Sequence, residues 1–139
     1  MEFITHSTEE TAEIGFRLGE RCRGGEIFAL SGGLGAGKTA LAAGIARGLG
    51  IDSRVTSPTF TIVNTYEGRL VMAHFDMYRL KNSDELIDIG WDDYLDSGAV
   101  MVIEWSEVAE DILPAGVIRI TLAYIDDTSR KITIEGDAL

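Results

Sequence analysis

The chain has one cysteine in 139 residues, few basic side chains and no long apolar run. Cys22 on its own excludes an intramolecular disulfide and any zinc centre built from several thiolates. It reads as a small buried apolar residue on a helix. Twelve Lys and Arg against 23 Asp and Glu give a formal net charge of −11, which argues against a surface that tracks nucleic-acid phosphates by counterion release. Contact with RNA is therefore expected to be local or through a partner. No stretch approaches the roughly 18 apolar residues that span a bilayer, and Met1 to His6 lacks the basic and apolar regions of a signal peptide. The expected location is the cytoplasm, with no membrane association. Internal repeats, low-complexity tracts and linkers are also missing. What remains is 45% apolar and 25% charged, the composition of one soluble globular domain over residues 1–139.

Ser7-Thr8-Glu9-Glu10 fits a capping box, and Thr11, Ile14, Gly15, Leu18 and Cys22 recur at helical spacing. They predict a first helix with a narrow apolar stripe, ending near Gly24-Gly25. The apolar run Glu26 to Leu30 then leads into a glycine-rich loop and an alanine-rich helix, Ala40 to Leu49, closed by Gly50. Phe60 to Tyr66 and Leu70 to Phe75 are β-prone and joined by three residues, which predicts an antiparallel hairpin. Asn82 to Glu85 predicts the start of one helix running to about Leu95, with Gly90 as a weak point. Ala99 to Ile103 has no polar alternation and is the expected centre of the sheet. Val117 to Ile125 and Lys131 to Glu135 form a terminal hairpin around Asp126 to Ser129. The expected fold is α/β: a single P-loop NTPase-like domain of three layers with a mixed central sheet.

Gly32-x-x-x-x-Gly37-Lys38-Thr39 is a Walker A pattern, placed between an apolar strand and a helix as its chemistry requires. Glycines let the backbone from Gly33 through Leu34, Gly35 and Ala36 to Gly37 curl so that N–H groups point inward at a helix's positive end. Lys38 reaches terminal phosphates as a point charge, and the Thr39 hydroxyl suits Mg²⁺. Leu30-Ser31-Gly32-Gly33 matches an ABC-transporter signature only by coincidence, because the phosphate loop already uses those glycines.

Such a loop needs a carboxylate at the end of a buried strand, facing the metal. Glu104 and Asp76 compete. Glu104 follows the more uniformly apolar run and is the favoured direct or water-mediated Mg²⁺ ligand. Asp76 would then orient or deprotonate the attacking water, or support the metal's outer shell; a turn cap or a pair with Arg79 is the structural alternative. Trp105 covers the site, forms part of a docking surface or fills a gap at the strand end. His74 is read as a structural histidine. Asp92-Asp93 and Asp126-Asp127 read as solvated pairs, since neither has calcium-loop spacing.

The chain contains neither Asp-x-x-Gly nor Asn-Lys-x-Asp, the metal and guanine readers of small GTPases. A small-molecule kinase remains a lesser alternative, because its lid and acceptor pocket need insertions that this length scarcely allows. The residues alone leave an ATPase or an ATP-controlled binding module. Gly33 to Thr39, Ser57-Pro58-Thr59-Phe60, His74-Phe75-Asp76-Met77-Tyr78-Arg79-Leu80, Glu85-Leu86 to Ile89-Gly90 with Tyr94, and Ile103-Glu104-Trp105 resemble the TsaE (YjeE) family in order and spacing. The resemblance covers nearly the whole chain and is weakest at both ends.

That resemblance implies a Mg²⁺-dependent P-loop ATPase, weak alone, that acts on a complex of the TsaD and TsaB proteins. The complex makes threonylcarbamoyladenosine in tRNA, and this chain would meet tRNA only indirectly. The implied cofactors are ATP and Mg²⁺. Lys38, Asp76 and Glu104 become the expected catalytic residues, Thr39 and Glu104 the metal ligands, and Gly33 to Thr39 the phosphate cradle. Ser57 to Thr59 stands at a switch-like loop, while Thr8 and Arg130 match nucleotide-binding positions near the two ends.

Overall fold

The computed structural model describes residues 1–33, 36–56, 63–77 and 80–136. Its elements are β1 (Glu2–Thr5), α1 (Thr8–Arg21), β2 (Ile27–Ser31), α2 (Lys38–Gly48), β3 (Val63–Tyr66), β4 (Met72–Asp76), α3 (Asp84–Asp88), α4 (Trp91–Asp96), β5 (Val100–Glu104), a 3₁₀ helix at Ser106–Ile112, β6 (Ile118–Tyr124) and β7 (Arg130–Glu135). The seven strands form one sheet in the order β1-β7-β6-β2-β5-β4-β3.

β2 pairs in parallel with β5 and β6, and β4 pairs in parallel with β5. Antiparallel β7 and β3 flank this four-stranded parallel core. β1 runs antiparallel to β7, so it shares the direction of the core. The C-terminal ends of β1, β2, β4, β5 and β6 therefore meet at one edge, where open α/β sheets bind ligands. The expected sheet centre shifts by one strand: β2 is the middle strand and fully buried β5 lies beside it. Both are enclosed, and apolarity alone does not distinguish neighbouring interior strands.

Alternation along the strands divides the core into two layers. Phe28, Leu30, Val100, Val102, Ile120 and Leu122 pack under α1 and α2. Ile27, Phe75, Met101 and Ile103 face Leu86 and Trp91 on the other side. There Phe75 meets the rings of Trp91 and Tyr94 edge to face, at centroid distances of 5.4 and 5.3 Å. This is the expected three-layer α/β arrangement around a mixed sheet.

Ser7 Oγ accepts from Glu10 N at 3.1 Å, and Glu10 Oε1 accepts from His6 N at 2.8 Å, so the capping box forms with its return bond one residue early. α1 ends at Arg21 rather than near Gly24-Gly25; Cys22 follows as its buried cap, with Sγ 3.3 Å from Leu18 O. Burial, reinforced by the charge of Glu26 and partly offset by Arg69, pushes the Cys22 thiol up to about 12, so it remains a packed thiol. The apolar stripe of α1 is narrow because glycines supply the rest of its contact with α2. A Cβ at Gly15 would stand 2.3 Å from Leu41 O, and one at Gly44 would stand 2.0 Å from Ala12 O. The two backbones approach more closely than side chains would permit.

The single helix expected from Asn82 to Leu95 is two helices. Gly90 takes φ 92 and ends α3 before α4 begins. A left-handed residue cannot continue a right-handed helix, and glycine adopts that conformation without steric cost. The remaining hairpins form as expected, β3 with β4 and β6 with β7, though the expected start of β3 at Phe60 lies outside the described residues.

Candidate functional site

β2 carries the chain to Gly32, where a Cβ would stand 2.5 Å from Leu122 O on β6. That position admits only glycine. Gly37 caps α2 in the left-handed region at φ 100, with no side-chain hydrogen bond to the helix N-terminus and no acidic residue in the first turn. The first N–H groups of α2 are thus left without a side-chain cap at the positive end of the helix dipole. Leu34 and Gly35 lie outside the described residues.

A cavity of about 640 Å³ opens at this edge of the sheet. Ala36 and Gly37 line it from the turn before α2, Lys38 and Thr39 from the start of α2, Asp76 and Glu104 from the ends of β4 and β5, Thr8 from the start of α1 and Arg130 from β7. Residues expected at opposite ends of the chain are thereby brought to one site. Gly33 is not among the lining residues, and its Cβ position is open space.

The two carboxylates have a simple geometric origin. Asp76 and Glu104 are register partners on neighbouring parallel strands, so both project to the same face at the same strand end. Glu104 is buried at 4% exposure. Its Oε2 lies 2.6 Å from Nε2 of fully buried His74, the diagonal neighbour one pleat back on β4. His74 itself does not line the cavity.

Lys38 is also nearly buried. Its Nζ donates to Gly32 O at 2.7 Å and lies 3.9 Å from the centroid of the Trp105 ring. Trp105 is the one non-glycine residue with positive φ among the described residues, at 59. A bulky residue in that region carries strain on the order of 1–3 kcal/mol, which the surroundings must offset. The strained backbone turns the indole over Lys38 at the cavity wall, and the half-buried ring also packs against the core cluster that holds Phe75 and Ile103.

At the other end of the cavity, Arg130 Nη1 donates to Asp126 O at 2.6 Å and Ser129 O at 2.9 Å, with its guanidinium 4.7 Å from the Tyr124 ring centroid. Asp126 Oδ1 accepts from the backbone N–H groups of Thr128 and Ser129, which hold its carboxyl below the ordinary value. Asp126-Asp127 is therefore an exposed pair, as expected, held in an ordered turn. Asp127, Thr128, His6, Ser7 and Glu9 also line the cavity, although the sequence reading did not place them there. Recognising β1 as a strand parallel to the core would have found the N-terminal members. The switch-like Ser57 to Thr59 and Arg79 lie outside the described residues.

No helix among the described residues is long and apolar enough to cross a membrane. The family model described as "Threonylcarbamoyl adenosine biosynthesis protein TsaE" matches residues 5–132. Over 134 residues the chain is 39% identical to the tRNA threonylcarbamoyladenosine biosynthesis protein TsaE of Treponema pallidum (strain Nichols), covering 96% of this chain and 99% of that protein. Against the protein of the same name from Bacillus subtilis (strain 168), identity is 37% over 134 residues, or 96% of this chain and 84% of that one. The crystal structure of Bacillus subtilis YdiB superposes with a TM-score of 0.80 at 31% identity, covering 98% of this chain and 84% of that chain. Sheet order and relatives agree: this chain belongs to the TsaE family of threonylcarbamoyladenosine biosynthesis proteins, on a P-loop NTPase-like fold.

Proposed function

We propose that this chain hydrolyses ATP with Mg²⁺ to drive the TsaD–TsaB complex through repeated rounds of tRNA threonylcarbamoyladenosine formation. One observation carries the reading. Lys38, Thr39, Asp76 and Glu104 line a single cavity at the C-terminal ends of the parallel strands. Phosphoryl transfer asks a protein mainly for positioning and charge stabilisation, and these four residues supply both.

The donor set suits magnesium. Thr39, Asp76 and Glu104 offer the cavity oxygen donors alone, the hard ligands that Mg²⁺ takes. No group of three His, Cys, Asp or Glu among the described residues holds a metal by itself, so phosphate oxygens would complete its shell. Bound there, Mg²⁺ would neutralise charge on the transferring phosphoryl group.

The protein's own steps follow from position. The α2 N-terminus and Lys38 receive the phosphates, Lys38 exchanging Gly32 O and the Trp105 face for phosphate oxygens. Asp76, beside Glu104, orients the attacking water or takes its proton. The Thr8, Thr128 and Arg130 end of the cavity is left for the nucleoside. Hydrolysis is slow until partner contacts complete the site, as an added arginine finger does in other P-loop proteins. The net charge of −11 keeps the chain from competing for tRNA and suits it to docking on protein.

Reconstitution with purified TsaD and TsaB tests the proposal. Lys38→Ala should abolish multiple-turnover modification; undiminished modification would contradict it. Asp76→Asn separates hydrolysis from gating. If nucleotide binding and assembly persist while turnover stops, hydrolysis is required; if modification continues, the chain is a nucleotide-gated interaction module. Transfer of labelled phosphate to a metabolite instead of water would make it a small-molecule kinase.

A further inference from the structure

We propose that His74 is a positioning residue for Glu104, holding the carboxylate in the orientation that the metal–nucleotide complex needs. The inference rests on the metal-binding reading of Glu104 and extends it to a residue outside the cavity.

The contact is short and dry. His74 Nε2 and Glu104 Oε2 are 2.6 Å apart, with side-chain exposures of 0% and 5%. A short hydrogen bond in a water-poor site is electrostatically stronger than one in water and fixes geometry as well as energy. The network also assigns the ring's proton. His74 Nδ1 is buried and has no hydrogen-bond partner among the described residues. A tautomer with hydrogen on Nδ1 would bury an unpaired donor. With hydrogen on Nε2, the ring donates to Oε2 and leaves only an unshared lone pair at Nδ1.

The geometry is directional. His74 pairs in register with Val102 and Asp76 with Glu104, so His74 lies one pleat behind Asp76 on the same face. The imidazole therefore grips the carboxylate from the sheet side while Glu104 lines the cavity. Residues that hydrogen-bond a metal-ligating group orient that ligand, and losing such a contact typically costs about 10- to 100-fold in metal affinity.

The test measures ADP affinity calorimetrically with Mg²⁺ and with EDTA, in the wild type, Glu104→Gln, His74→Leu and His74→Gln. The Mg²⁺-dependent gain in affinity should fall about 10-fold or more in His74→Leu, with the EDTA value unchanged. His74→Gln, which retains a side-chain N–H donor, should recover most of the gain. Mn²⁺ electron paramagnetic resonance of the ADP complexes should show the same order. If Glu104→Gln loses the gain while His74→Leu keeps it, the positioning role is overturned and the metal reading stands. If neither loses it, both fall. Equal losses with Mg²⁺ and EDTA would assign His74 a structural role alone and overturn the proposal. Should His74→Leu not fold, ¹⁵N–¹H NMR of the wild-type imidazole decides: a proton on Nε2 whose resonance moves in Glu104→Gln supports the role, and a ring protonated only on Nδ1 overturns it.

Discussion

The ammonium of Lys38 lies 3.9 Å from the centroid of the Trp105 ring, and Trp105 takes a left-handed backbone conformation to put it there. Nucleotide phosphates compete with that ring for the same charge. Binding of Mg·ADP is therefore expected to change the fluorescence of Trp105. Trp91, the second tryptophan, is buried in the core and does not line the cavity, so it should not respond. Trp105→Phe should abolish the change while leaving binding measurable by calorimetry; a full response in that variant would contradict the assignment.

The α1–α2 contact depends on missing side chains. A methyl group at Gly44 would stand 2.0 Å from Ala12 O, and one at Gly15 would stand 2.3 Å from Leu41 O. Either alanine substitution forces the helices apart. Overpacking of this kind costs about 1–3 kcal/mol, and the obstruction here is backbone rather than a flexible side chain. Urea denaturation of Gly15→Ala or Gly44→Ala should show a loss of at least that size. Stability equal to the wild type would refute the close packing.

Arg69 ties both helices to the β3–β4 turn. Its guanidinium donates to Cys22 O and Gly19 O at 2.9 Å and to Gly48 O at 3.4 Å, satisfying carbonyls at the ends of α1 and α2. Arg69→Ala should destabilise the chain by about 1–2 kcal/mol in thermal or chemical unfolding. Faster amide exchange should follow at both helix C-termini. Exchange confined to one helix would show that the shared cap is not shared.

The turn beside Arg130 carries an acid sensitivity. The backbone N–H groups of Thr128 and Ser129 hold the Asp126 carboxyl below its ordinary 3.8, so its contribution is present above that value. It is lost as pH falls through the lower folded value. NMR titration should show the Thr128 and Ser129 amides moving together with a midpoint under 3.8. A midpoint at or above it would contradict the hydrogen-bonded turn.

The glycine turn into α2, the first helix cap and the interior strand before Glu104 were legible because each is a local pattern with a local cause. Asp76 and Glu104 were legible for a similar reason: each follows an apolar run, and parallel pairing set them side by side. Contacts made by glycine were not. Gly15, Gly19, Gly44 and Gly48 leave no apolar signal, so the α1 stripe read as narrow when the helix face is in fact tightly packed. β1 escaped notice because four residues at a sheet edge, partly exposed, carry too little alternation. Gly90 was seen as a weak point, yet only its φ of 92 shows that it separates two helices. The His74–Glu104 bond joins residues 30 positions apart on neighbouring strands, a diagonal that depends on register.

Binding of Mg·ADP by the isolated chain, followed by titration calorimetry in parallel with Lys38→Ala, tests the central claim most directly. Saturable heat is expected from the wild type, with affinity at least about tenfold weaker in the variant, the loss of one charge-assisted contact to phosphate. No heat from the wild type, even with TsaD and TsaB present, would contradict a nucleotide site at the end of these strands.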